Sequence, residues 1–559
     1  MEKYTSSTMD GASLGLKKQK VTTFTAVFMV FSLVAAGCYG IEEMIPAAGA
    51  GLTLVMLIVI PFIWGLPFGL VASELGSVRP QEGGYYKWVQ EALGEFWGFQ
   101  AGWWRTISIY IDNTLYVVLA GGYLFTMVNT DNVFVEFAFK AAMILVFMYI
   151  NLRGVRDVGL VTNALSIFII AAFAMVAIIG FMNWGGNPFA EMTPEPVESA
   201  VDWIFYVGAG LSIGMWMYSG YESMSTFAGE LKDPQVIPKA TLITVPLIML
   251  TYIVPTMASV SALSGTGLPE LANENWGIAA ENIGYATVAD HFWGPAFGIF
   301  FGVVAVIAQF SIYNTYIASG SRGFFALSED NLSPKFFTKI SKKYGVPYVT
   351  VISIAVVNLA LCMVDFTILI VVDVFLLVSS YIMVYISAMI LRNRIPKKEY
   401  KFRIPVSDRF FKVICIVPIV VAVISFLING SDYFLGGMIG IISGPVLYFV
   451  WKRYYGGLSK KDPEAYPLNN KTRLGLGDMK RVSIIFALLA LIGVLGCIFL
   501  PWYEADWDYA VDYDLTIFAS QEALWGAIRI MTIACAGLAI IFGLVGRAIE
   551  PKKADRMEA

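Results

Sequence analysis

The stretch Gly37-Cys38-Tyr39-Gly40-Ile41-Glu42-Glu43 interrupts an apolar run that begins at Val21 and resumes after it. Glycine weakens a helix interior, and carboxylates at bilayer depth are costly unless paired or bound. A segment that only anchored a protein would avoid both. The pattern predicts a broken transmembrane helix whose freed backbone groups and carboxylates line a polar cavity. The plainer alternative is a helix relieved by packing glycines, with its glutamates near the surface.

Membrane residence follows from composition. Of 559 residues 57% are apolar and only 14% charged, about half the charged share of a soluble domain; mean hydropathy is +0.68. The five cysteines (Cys38, Cys362, Cys415, Cys497, Cys535) all fall in apolar segments. They read as small hydrophobes, and neither a disulfide framework nor a disulfide-linked subunit is expected. The first apolar run follows Lys17, Lys18 and Lys20 and lacks a small-residue cleavage site, so it is expected to remain as the first span.

At about 20 residues per crossing, the candidate spans are 21–48 (broken), 51–77, 92–128, 133–152, 157–182, 202–231 (broken), 239–264, 293–327, 347–366, 367–391, 410–429, 433–452, 482–500 and 523–546. That is about fourteen in an all-α integral membrane fold, so both termini share a side. On this layout all but three of the 38 Lys and Arg residues lie at that side. The exceptions, Arg105, Lys140 and Arg529, fall within spans. Both termini are therefore expected in the cytoplasm of a multi-pass protein of the cell membrane. The opposite loops are acidic: Glu191 to Asp202, Glu270 to Asp290, and Glu504 to Glu522. Ordinary solvation accounts for this, as does a vestibule that concentrates cations. His291, the single histidine, makes neither a metal site nor a relay.

A second interruption, Gly220-Tyr221-Glu222 within Trp216 to Ser223, occurs in the sixth span. It runs opposite to the first, as an inverted repeat of five plus five spans requires. The expected organisation is a tail 1–20, repeats over 21–182 and 202–391, spans 11 and 12 over 410–455, an extra hairpin over 482–546 and a tail 547–559. Such breaks present amide groups at one half-helix end and carbonyls at the other. With Glu42 or Glu43 at the first and Glu222 at the second, the pocket favours an amine. Asp112, seven residues after Arg105 and four before Tyr116, shares a helical face with both. Gln309, Tyr313 and Tyr316 share another in the eighth span. Each group has a structural reading as well, an ion pair or aromatic packing. Asp373 in the tenth span is a candidate gate. Lys140 and Arg529 are expected to snorkel or to pair with nearby carboxylates.

Glu74-Leu75-Gly76 with Pro80 to Val89, Ala228 to Pro234 with Pro238-Lys239-Ala240, and Ser321-Arg322-Gly323 with Ser328 to Pro334 resemble the inner-loop signatures of the amino acid–polyamine–organocation superfamily. Gly94 to Trp103 and Ile111 to Tyr116 are most similar to its polyamine-uptake and LAT-like branch. The resemblance covers about residues 20–455. It implies a LeuT-like fold with discontinuous spans 1 and 6, alternating access, and substrate held by Gly37, Gly40 and Glu42 at one break and Trp216, Tyr218 and Glu222 at the other. The chain departs from the family in its extra spans and near Ile169, where some members carry a lysine and this fifth span is apolar.

The function expected is secondary transport of amino acids or cationic amines, by symport or exchange. Substrate contacts are expected from Gly37, Tyr39, Gly40, Glu42, Glu43, Asp112, Trp216, Tyr218, Gly220, Glu222, Gln309 and Tyr313, with Tyr218 and Trp216 able to make cation–π contacts. A proton-coupled permease for a zwitterionic amino acid is the alternative, and a channel or a non-transporting nutrient receptor the alternatives of another class. Partners are a small amino acid or amine, the lipid bilayer, and protons or a counter-substrate, without nucleic acid. No cofactor, metal cluster, nucleotide loop or nucleophile–base pattern points to an enzyme.

Overall fold

A computed structural model describes residues 21–35, 39–81, 83–128, 132–268, 276, 284–364, 366–505 and 518–549. Gly37 and Cys38 lie outside them. The described chain is almost wholly helical. Among the described residues twelve helices are long and apolar enough to cross a membrane, and the expected spans 21–48 and 347–366 contain shorter apolar helices.

The first span is divided into α1 (Thr23–Val34) and α2 (Ile41–Ala48). Thr22 caps α1, its hydroxyl accepting from Thr25 N at 3.1 Å, the usual service of a threonine to an open helix start. Next come α3 (Ala50–Ile60), a π-turn over Pro61–Gly65 and α4 (Leu66–Val78). The third expected span, 92–128, is α6 (Glu95–Val128), preceded across Gly94 by a separate helix α5 (Tyr85–Leu93). α5 belongs to the loop, because its Lys87 and Gln90 side chains bond outside the bilayer segment to Asp330.

α7 (Val133–Asn151) and α8 (Val155–Met182) complete the first half. α9 (Ala200–Met217) opens on a capping box, Ser199 with Asp202, and gives way to a 3₁₀ segment, Tyr221–Glu230. Then follow α10 (Val236–Ser264), a short α11 (Gly284–Trp293) carrying His291, α12 (Pro295–Glu329), α13 (Tyr348–Leu361) and α14 (Phe366–Arg394). The remainder is α15 (Asp408–Ile428), α16 (Ser431–Tyr455), α17 (Asp478–Tyr503) and α18 (Gln521–Ile549).

α6 runs through the middle, packed on α12 and α14, while α17 and α18 pair with each other and touch α16. Apolar side chains such as Val446, Ile498 and Ile533 face outward and polar ones inward, the reverse of a soluble protein and the rule within lipid. Hydroxyls tie α1 to the interior: Ser32 Oγ meets Ser311 Oγ at 2.7 Å, and Thr315 joins both Ser32 and Thr162. Where the fifth span lacks a lysine, Ile169 is fully buried. Lys140 pairs with Glu136 at 2.5 Å and donates to the Cys362 carbonyl. Arg529 pairs with Glu522 at 3.1 Å, so both cations follow the expected pattern.

Candidate functional site

The two interruptions meet. Gly40 and Gly220 adopt φ of 102° and 112°, a left-handed region in which a side chain is strained. A Cβ on Gly220 would stand 2.0 Å from the Leu33 carbonyl at the end of α1, and one on Gly40 would press on Met217 and Trp216 at 3.1 and 3.2 Å. Residue 33 thus lies against 220 and residue 40 against 216–217, which is antiparallel register between the breaks. The Tyr252 hydroxyl, from α10, donates towards both freed carbonyl ends, Val34 O at 3.1 Å and Met217 O at 3.0 Å.

Charged groups gather beside this junction on one face of α6. Trp216 Nε1 donates to Asp112 Oδ1 at 3.0 Å, and its ring stacks on Tyr116 at 5.8 Å. Tyr316 of α12 closes on Tyr116 at 5.5 Å. Two turns earlier on α6, Arg105 Nε donates to Glu222 Oε1 at 2.6 Å, while Tyr381 Oη of α14 donates to Glu222 Oε2 at 2.6 Å and accepts from Gly220 N at 2.8 Å. Arg105 Nη1 also donates to Ser108 Oγ at 3.0 Å, and Ser108 passes its hydrogen to Asp373 Oδ1 at 2.6 Å. Asp373 Oδ2 is buried without a hydrogen-bond partner. All of these charged side chains are at least 98% buried.

The charges do not cancel. Asp112, Asp373 and Glu222 face the single guanidinium of Arg105, whose plane also lies 5.9 Å from the Tyr316 ring and 6.0 Å from that of Tyr381. Glu222 is the carboxylate Arg105 neutralises directly. Asp112 and Asp373 have no direct ion pair among the described residues and are the two carboxyl groups in excess.

Glu42 stands elsewhere. Its Oε1 accepts from Tyr285 N at 3.3 Å, so it caps the start of α11. The Tyr123 hydroxyl lies beside the carboxylate, yet neither that hydroxyl nor Glu42 Oε2 completes a hydrogen bond. Among the described residues Glu42 and Glu222 share no hydrogen-bond partner. Half-buried Glu43 is Glu42's neighbour on α2. Tyr39 packs with Tyr123, Phe173 and Tyr285 in an aromatic cluster and donates to Phe301 O at 2.8 Å.

The hydroxyls of two further expected contacts bond to neighbouring helices. Tyr218 donates to Leu57 O at 2.9 Å and packs on Tyr252. Tyr313 donates to Asn358 Oδ1 of α13 at 3.1 Å. Gln309, one turn before Tyr313, is buried with Nε2 unpartnered. Of the expected set, the structure assembles Gly40, Asp112, Trp216, Gly220 and Glu222, and adds Arg105, Ser108, Tyr116, Tyr316, Asp373 and Tyr381. Ser108 is legible as a member of the Arg105–Asp112 face, and Tyr381 as eight residues beyond Asp373 on one stripe of α14.

A likeness to known proteins accords with this arrangement. The chain superposes on the crystal structure of MhsT in complex with L-phenylalanine with a TM-score of 0.55 at 14% identity, covering 74% of this chain and all of that one. It is 28% identical to the polyamine transporter RMV1 of Arabidopsis thaliana over 77% of this chain and 84% of the relative. With the serine/threonine exchanger SteT of Bacillus subtilis it shares 24% identity over 78% of this chain and 98% of that protein. The amino acid permease family model matches residues 21–449. By that match the chain belongs to the amino acid permease family, and it is a multi-pass membrane transporter rather than an enzyme.

Proposed function

We propose that the chain carries cationic amines, polyamines among them, across the cell membrane by alternating access at the junction of the two breaks. The observation that carries this reading is the carboxylate surplus around Arg105, with Asp373 Oδ2 left without a donor. A buried acceptor of that kind is costly to leave empty, and an ammonium group supplies both the missing charge and the missing hydrogens. Tyr116, Tyr316 and Trp216 cluster beside Asp112, and aromatic faces attract cations. A zwitterionic substrate would bring its own carboxylate into a site that already holds too many. The names of relatives such as RMV1 agree.

Supported by the antiparallel meeting of the breaks, the first and second five spans form the inverted repeats, with 410–455 and 482–546 appended. The segregation of Lys and Arg supports cytoplasmic termini. The test is uptake of labelled putrescine and spermidine by proteoliposomes, with neutral amino acids as competitors. Saturable amine uptake that Asp373→Asn removes is expected. Uptake of neutral amino acids with no response to diamines would overturn the reading.

A further inference from the structure

We infer that the groove between α16, α18 and the turn at 469–475 binds the headgroup of an anionic phospholipid from the leaflet on the basic side of the membrane. The site is independent of the substrate reading. Its volume is about 690 Å³, and its apolar wall includes Phe449 and Phe542, whose rings lie 5.5 Å apart. Three cations line it: Arg453 at the end of α16, and Lys471 and Arg473 on the turn. All three are exposed, and no carboxylate lines the groove among the described residues. Asp478, nearby in sequence, is taken by Arg481 at 2.7 Å and by Tyr448 at 2.7 Å.

The turn that presents two of the cations is firmly built. Asn469 N donates to Leu474 O and Arg473 N to Asn469 O, both at 2.8 Å. Asn469 Oδ1 accepts from Lys471 N at 2.9 Å, and Asn469 Nδ2 donates to Ile549 O at the end of α18. Arg473 is held at φ 59°, a conformation a non-glycine residue keeps only where its surroundings impose it.

The same helices supply a surface for acyl chains. Val446 and Val450 of α16 are 50% and 55% exposed, and Ile541 and Leu544 of α18 are 54% and 59% exposed. An apolar flank of this kind belongs to lipid. A soluble phosphate would use the rim and leave the flank and floor without purpose, whereas a phospholipid uses all three. Basic groups gathered near the bilayer on the side rich in Lys and Arg are the usual receptors of acidic headgroups.

The test is native mass spectrometry of the full-length protein offered phosphatidylglycerol and phosphatidylcholine at equal concentration. Each lost cation is expected to cost about fivefold in retention of the acidic lipid. The triple variant R453Q/K471Q/R473Q should bring the two lipids near parity, and the charge-keeping R453K/K471R/R473K should retain the preference. An unchanged preference in the glutamine variant, or its loss in both variants, overturns the proposal. So does complete displacement of phosphatidylglycerol by millimolar inorganic phosphate, which would make the groove a soluble-anion site.

Discussion

Trp216 and Asp112 link the second break to the centre of α6 through one hydrogen bond of 3.0 Å from the indole to the carboxylate. The bond fixes one carboxylate oxygen of Asp112 while leaving its charge uncompensated by any direct ion pair among the described residues. Asp112→Asn keeps the acceptor and the size but removes the charge. Diamine uptake should fall by two orders of magnitude or more, since a charged pair in a dry site is worth about 3 kcal/mol. Thermal stability should change little. Initial rates in proteoliposomes and a melting curve check both halves.

Gly220→Ala should abolish transport. Its Cβ would collide with the Leu33 carbonyl and would sit at a φ that costs about 1–3 kcal/mol, so the two breaks would have to part. Gly40→Ala meets only the Met217 thioether and the edge of Trp216 and should lose less. Uptake rates and melting temperatures of the two variants give the comparison.

Arg105 and Glu222 are predicted to be strongly coupled. Arg105→Gln strands the buried Glu222 carboxylate and should cost about 3–5 kcal/mol; Glu222→Gln removes the direct partner of Arg105, which still faces Asp112 and Asp373, and should cost less. The double variant should cost much less than the sum. Additive effects in a double-mutant cycle on thermal stability would show that the pair does not act as a unit.

At the basic side, Asp330 just beyond α12 accepts from Tyr86 at 2.6 Å and from Lys461 at 2.8 Å, and pairs with Lys87. Burial by itself would raise its pKa, but the Lys87 and Lys461 ammonium groups outweigh it and hold the carboxyl well below the usual range. A depressed native value means that the stabilisation is complete above the unfolded-state pKa of about 4. It is lost as pH falls below that point through the native value. Asp330→Asn should lower stability by about 1–3 kcal/mol at pH 7, Lys461 being half-exposed. The gap from wild type should stay constant down to about pH 4 and close below it. Melting temperatures from pH 7 to pH 3 test this.

Much of the fold was readable because its signals are local. A Gly-x-Glu interruption within an apolar run announces a break, and the structure supplies the reason, a positive φ at Gly40 and at Gly220. The Arg105–Asp112–Tyr116 face was likewise a matter of helical spacing. What spacing does not carry is which side chain waits on the neighbouring helix. Glu222 finds Arg105, 117 residues away, and Glu42 finds the backbone of Tyr285; neither partner leaves a trace in the glutamate's own surroundings. Tyr313 shares a face with Gln309, but the occupant opposite is Asn358.

The Tyr252 hydroxyl, poised between Val34 O and Met217 O, has only one hydrogen to give. Two half-helix termini draw on it together, so prising them apart would leave at least one of those oxygens dry and unsatisfied in the middle of the bilayer. Separating α1 from α9 would therefore cost one of these bonds unless water entering the opened path replaced it.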